Sequence, residues 1–142
     1  MKSSEEACAL WNTLHDGTID AISGAVPGEV DMTIGIAYLC RELPTAADQL
    51  KVYLHSCTLL RYEPWFEESP MEGVEALVGQ DIEVLSAKRP ARVIEVECAC
   101  GFLKLEYENV EVRLVEGRII SQEELENAAE RYWTKWEERH RR

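Results

Sequence analysis

Nowhere does the chain approach the roughly 18 consecutive apolar residues of a membrane-spanning helix, because charge breaks its longest apolar stretches. The stretch from Met1 to Leu14 carries Glu5 and Glu6 and has no apolar run of signal-peptide length, so no export is expected. Basic residues are scarce as well: 15 Lys plus Arg stand against 27 Asp plus Glu, a formal net charge of −12. A surface of that sign repels phosphate backbones and anionic lipid, which makes nucleic acid and membrane poor partners; it attracts a basic protein or a cationic ligand. It also serves simply as a solubility device. Cysteine is limited to Cys8, Cys40, Cys57, Cys98 and Cys100, an odd and unpatterned set in a chain large enough to fold without staples. Reduced thiols and a cytoplasmic location are expected from that usage. The chain also lacks a Walker lysine loop, a glycine-rich dinucleotide turn, a G-x-S-x-G elbow and an H-E-x-x-H helix. The common enzyme signatures are thereby excluded and no cofactor or metal is expected, although constellations assembled across strands leave little trace in one sequence.

What is present describes a globular domain. At 142 residues the chain can bury roughly 70% of its unfolded surface around one core, and 46% apolar with 30% charged residues is ordinary globular composition. No linker or internal repeat divides it, so residues 1–142 are read as one domain. Ser3 and Glu6 form a possible capping box for a short helix whose apolar side is Ala7, Leu10, Trp11 and Leu14. Val26-Pro27-Gly28-Glu29 suits a type II turn, and Val30, Met32, Ile34, Ile36 and Tyr38 then alternate as one apolar face of a strand. A further strand runs from Leu50 to about Tyr62, and the adjacent Leu59 and Leu60 suggest a bulge within it.

Two prolines turn the segment from Glu63 to Pro70 into a loop, and residues 72–80 hold one or two helical turns. Ile82, Val84 and Leu85 suggest a short strand, residues 92–108 a hairpin bending near Gly101, and Val110, Val112 and Leu114 a last strand. Ser121-Gln122-Glu123-Glu124 is a capping box opening the one long helix. Its stripe of Leu125, Ala128, Ala129, Tyr132, Trp133 and Trp136 should lie on the sheet, and its acidic start and basic end complement the helix dipole. The expected class is α+β: about six or seven antiparallel strands in a curved sheet or partly open barrel or sandwich, flanked by terminal helices.

Each residue group with chemical potential has an ordinary reading beside it. His15-Asp16 lacks the further ligands a metal centre needs, and reads as a helix-ending turn in which Gly17 supplies a positive φ. His55-Ser56-Cys57 and Cys98-Ala99-Cys100 place soft ligands two residues apart and could combine as a Cys3His site, but isolated cysteines are more commonly buried. Cys57 with His55 as base is weaker, since no orienting carboxylate can be identified for the pair. Lys88, Arg89 and Arg92 could hold an anion, or simply keep a hairpin soluble. The strongest binding feature is the loop from Tyr62 to Met71: Trp65 and Phe66 among Glu63, Glu67 and Glu68 combine rigid aromatic anchors with an acidic rim. The commoner fate of such rings is burial as a lid over an open end of the sheet.

The run Leu14-His15-Asp16-Gly17-Thr18-Ile19, followed by a strand, a turn and an alternating strand, resembles the opening of small bacterial β-rich proteins, some of them like immunity proteins of polymorphic toxins. The likeness covers about a third of the chain and carries no functional residues with it. It implies a non-enzymatic protein that neutralises a partner, and an acidic surface would suit a basic nuclease. The expected function is therefore a protein-binding domain directed at a basic partner through Tyr62, Trp65, Phe66, Glu67 and Glu68, with homodimerisation through edge strands left open. The alternative is a small-ligand binder or an unassigned enzyme. Its pocket, between sheet and C-terminal helix, would draw its lining from Met32, Ile34, Tyr38, Tyr107, Trp133 and Trp136.

Overall fold

The computed structural model describes residues 4–66, 68–88 and 92–141. In chain order the elements are α1 (Ser4–Thr13), β1 (Thr18–Gly24), β2 (Gly28–Gly35), α2 (Ala37–Cys40), β3 (Gln49–Cys57), β4 (Leu59–Pro64) and β5 (Met71–Glu72). They continue as α3 (Val74–Leu77), β6 (Ile82–Lys88), β7 (Ile94–Cys98), β8 (Gly101–Glu106), β9 (Asn109–Leu114), β10 (Ile119–Ile120) and α4 (Gln122–His140). The strands form one antiparallel sheet in the order β10-β9-β3-β2-β1-β6-β7-β8-β4-β5, open at β10 and β5. The class is α+β, as expected, but ten strands replace six or seven. The extra ones are the two-residue β5 and β10, too short to show alternation, and the division of one expected strand into β3 and β4.

That division falls beside the Leu59-Leu60 doublet. Ser56 adopts φ +54, and after Thr58 the chain resumes against new neighbours. β3 lies between β9 and β2, whereas β4 lies between β8 and β5. Thr58 N–H donates to the Glu106 carbonyl and Glu108 N–H to the His55 carbonyl, so segments 49–64 and 101–114 stay paired across the change. Alternation puts Val30, Met32 and Ile34 of β2, Leu50, Val52 and Leu54 of β3, and Leu103 and Leu105 of β8 into one apolar core. α1 adds Leu10 and Trp11 and packs mainly on β6.

Several local expectations need correction. β2 ends at Gly35, and Tyr38 lies in the helical turn α2, where its hydroxyl donates to the His15 carbonyl at 2.5 Å. Strand alternation and a single helical turn both bring Ile36 inward, so the pattern did not distinguish them at Tyr38. The β1–β2 connection contains a cis Val26–Pro27 peptide and Gly28 at φ +144, not a type II turn. After α1 the positive φ belongs to Asp16, at +69. Gly17 serves close packing instead: a Cβ there would meet the Ile34 side chain and the Leu14 carbonyl at 2.9 Å. Ser3, of the expected N-terminal capping box, lies outside the described residues.

The capping box of α4 forms as read: Ser121 Oγ accepts from Glu124 N–H, and the Glu124 carboxylate accepts from Ser121 N–H. The helix makes its main contacts with other helices rather than with strands, however. It packs against α1 and α2 and buries only Leu125 and Ala128. Among the described residues no helix is long and apolar enough to cross a membrane.

Candidate functional site

The aromatic loop begins where β4 runs out at Pro64. Trp65 N–H donates to the Cys100 carbonyl at 2.9 Å, which ties the loop to the β7–β8 turn, and the Trp65 ring meets the Phe102 ring edge-on at 6.3 Å between centroids. Even so Trp65 is 51% exposed and Phe66 90% exposed, so these rings do not form a lid over the core. Glu68 is exposed, and Glu67 lies outside the described residues. Tyr62 must be separated from this group. It points inward from β4 with Leu60, is 4% exposed, and burial raises its phenol pKa. Strand alternation sends Arg61 and Glu63 to the outer face, where Arg61 bridges Glu63 at 3.0 Å and Glu72 at 2.9 Å and Lys104 approaches Glu63 at 3.3 Å. The acidic rim is therefore partly answered by its own cations.

A second aromatic surface was legible only as a helical stripe. Trp133 and Trp136 are 37% and 40% exposed on α4. Their rings belong to a run of contacts starting at the fold body: His15 stacks on Trp133, Tyr38 meets Tyr132 and Trp133, Trp133 meets Trp136, and Trp136 stacks on His140 at 4.2 Å. On a neighbouring face Arg131 donates to the Glu42 carbonyl at 2.6 Å, and Lys135 reaches the Glu42 carboxylate at 2.9 Å. The pocket expected between sheet and helix is not assembled. Met32 and Ile34 are fully buried core residues, Tyr107 accepts a hydrogen bond from Trp11 Nε1 at 3.0 Å, and the two α4 tryptophans face outward.

A cleft of about 580 Å³ opens instead at the other end of α4, where α1, β9 and β10 meet its first turns. Val110 and Ile119 supply accessible apolar lining above the buried Leu10, Val112 and Ile120, and its polar lining includes His55, Glu111, Gln122 and Glu126. His55 is held from outside: its Nδ1 lies 2.5 Å from Glu29 Oε1, while Glu29 Oε2 accepts from Ser56 N–H at 2.8 Å. The Ser56 N–H and then the His55 contact hold the Glu29 carboxyl below the usual carboxylate range. Glu29 is the orienting carboxylate that sequence reasoning could not find, because the β2–β3 register alone brings it opposite the irregularity at Ser56.

This pairing does not activate Cys57, which is fully buried, donates to the Leu59 carbonyl at 3.3 Å and has its thiol pKa raised by burial. Burial likewise pushes Cys98 up to about 12, whereas Cys100 is exposed. Among the described residues no group of three or more His, Cys, Asp and Glu is arranged to hold a metal ion, so the two soft-ligand pairs do not combine. His15 and Asp16 contact one another at 3.3 Å within the turn after α1. Of the basic cluster, Arg89 lies outside the described residues. No family model, curated protein or solved structure matches this chain, so its site is defined by its own geometry.

Proposed function

We propose that this chain is a cytoplasmic protein-binding domain that docks a basic partner through Trp65 and Phe66, with Glu68 and the neighbouring acidic surface steering the encounter. The carrying observation is the 90% exposure of Phe66 beside a half-exposed Trp65, in a protein whose other large apolar side chains mostly fill the core. Large rigid rings left in solvent are the side chains that gain most from burial against another protein. The net charge of −12 favours a cationic surface as the one that arrives. Pairing of two copies through sheet edges is less well supported, because both ends of the sheet are strands of two residues.

The immunity-like reading follows if that partner is a toxin encoded beside the gene. Co-expression of the two products, followed by size-exclusion chromatography at low and high salt, tests it. A complex that protects the cells, weakens with salt and is lost on combining Trp65→Ala with Phe66→Ala is the expected result. Toxicity without a complex removes the immunity reading, and a complex indifferent to the double substitution moves the contact elsewhere.

A further inference from the structure

The cleft beside α4 has a composition that points to a ligand of its own. We propose that it binds a small organic cation, consisting of an apolar body the size of one ring or a short alkyl chain and a protonated amine. Its volume of about 580 Å³ is in the range of small-molecule sites, and Val110 and Ile119 offer the body accessible apolar surface above the more deeply set Leu10, Val112 and Ile120. The charge on its walls has one sign. Glu111 of β9 and Glu126 of α4 contribute carboxylates, and neither Lys nor Arg is among the described residues lining it.

The hydrogen-bonding pattern also favours a donor. Gln122 Nε2 donates to Thr13 Oγ1 at 3.1 Å and to Glu126 Oε2 at 2.8 Å, so its amide nitrogen is committed and its carbonyl oxygen remains as an acceptor. Arg113 Nε contacts Glu111 Oε2 and offsets that carboxylate, whereas Gln122 is neutral and no Lys or Arg among the described residues is paired with Glu126. His55 is already engaged by Glu29. An anion finds no equivalent welcome. The positive end of α4 is already occupied by its own Ser121–Glu124 capping box, with Glu123 and Glu124 in the first turn. Glu126 is the main charge recognising the ammonium, and the apolar lining supplies the remaining affinity.

Titration of the intact, isotope-labelled chain with 4-phenylbutylamine, 4-phenylbutanol and 4-phenylbutyrate, followed by amide NMR shifts, separates charge from apolar burial. The amine should perturb amides around Leu10, Val112, Ile120 and Leu125 and bind about fivefold more tightly than the alcohol, the scale of a partly solvated ion pair. The carboxylate should bind most weakly. Glu126 is exposed, so Glu126→Gln leaves the fold intact; it should bring the amine to the affinity of the alcohol while leaving the alcohol unchanged. Equal binding of amine and alcohol to the native chain overturns the proposal. So does amine binding that survives Glu126→Gln, shifts centred elsewhere, or none at millimolar ligand. Trp65 and Phe66 are not among the residues lining the cleft, so either site can fail without the other.

Discussion

Trp11 and Trp65 are the same side chain put to opposite uses. Trp11 lies on the inner side of α1, is 0% exposed and satisfies its indole N–H on the Tyr107 hydroxyl at 3.0 Å, so its whole surface contributes to folding. Trp65 follows a strand whose ladder has ended at Pro64; it is tied down by its backbone and by one ring edge, and half its surface stays in water. What distinguishes them is the secondary structure around each. A helix facing the sheet surrounds its aromatic with neighbours on several sides, while a proline-bounded loop supports its ring from one side only. α4 repeats the contrast within one element: Leu125 and Ala128 are fully buried, yet Trp133 and Trp136, on the same stripe, remain over a third exposed.

The comparison can be broken most decisively at the tryptophans themselves. Trp11→Ala should lower the unfolding free energy by about 3–5 kcal/mol in urea titration, from lost transfer energy plus a cavity. Trp65→Ala combined with Phe66→Ala should cost under about 1 kcal/mol while abolishing partner binding. If the double variant unfolds as readily as Trp11→Ala, the loop belongs to the core and the docking reading falls. A smaller contrast is expected along α4, where Leu125→Ala should cost about 2–5 kcal/mol and Trp136→Ala under about 1 kcal/mol by the same measurement.

Thiol accessibility sharpens the distinction without altering the fold. Of the five cysteines only Cys100 is exposed, and burial pushes Cys40 up to about 11 and Cys98 up to about 12. A disulfide exchange reagent should therefore modify one thiol quickly in the native chain, and Cys100→Ser should remove that fast phase. Two fast equivalents would show that one of the elements burying the other four cysteines opens.

The smallest effect concerns Glu29. Its folded-state pKa is depressed, first by the Ser56 N–H and then by His55, so its stabilisation is present above the unfolded value near 4.5 and lost as pH falls through the folded value. Wild type and Glu29→Gln should differ in thermal midpoint at neutral pH and converge as pH drops below that unfolded value. A difference independent of pH would assign the effect to packing.

Where one periodicity persisted long enough, the fold was legible. Val30 to Ile34, Leu50 to Leu54 and Leu103 to Leu105 alternate and are buried, and Ser121 to Glu124 caps a helix as its spacing implied. Tyr38, β5 and β10 were not legible, because two or three residues cannot distinguish a helical turn from a strand. The loop containing Trp65 and Phe66 was recognised as a binding candidate, but Tyr62 was grouped with it although it faces the core. The cleft drew no notice at all: His55, Glu111 and Glu126 are far apart in the chain and carry no shared motif.

The sequence by itself determined the acidic surface, the alternating strands, the capped terminal helix and the proline-bounded aromatic loop, since each depends on composition or on neighbours a few residues away. Only the tertiary structure decided that the strand after Gln49 changes partners near Ser56, that Glu29 clasps His55, and that α4 leans on α1 and α2 and leaves its tryptophans outside. The physical reason is common to all three. Periodicity states which side chains share a face, but what stands opposite that face is set by contacts between segments distant in the chain.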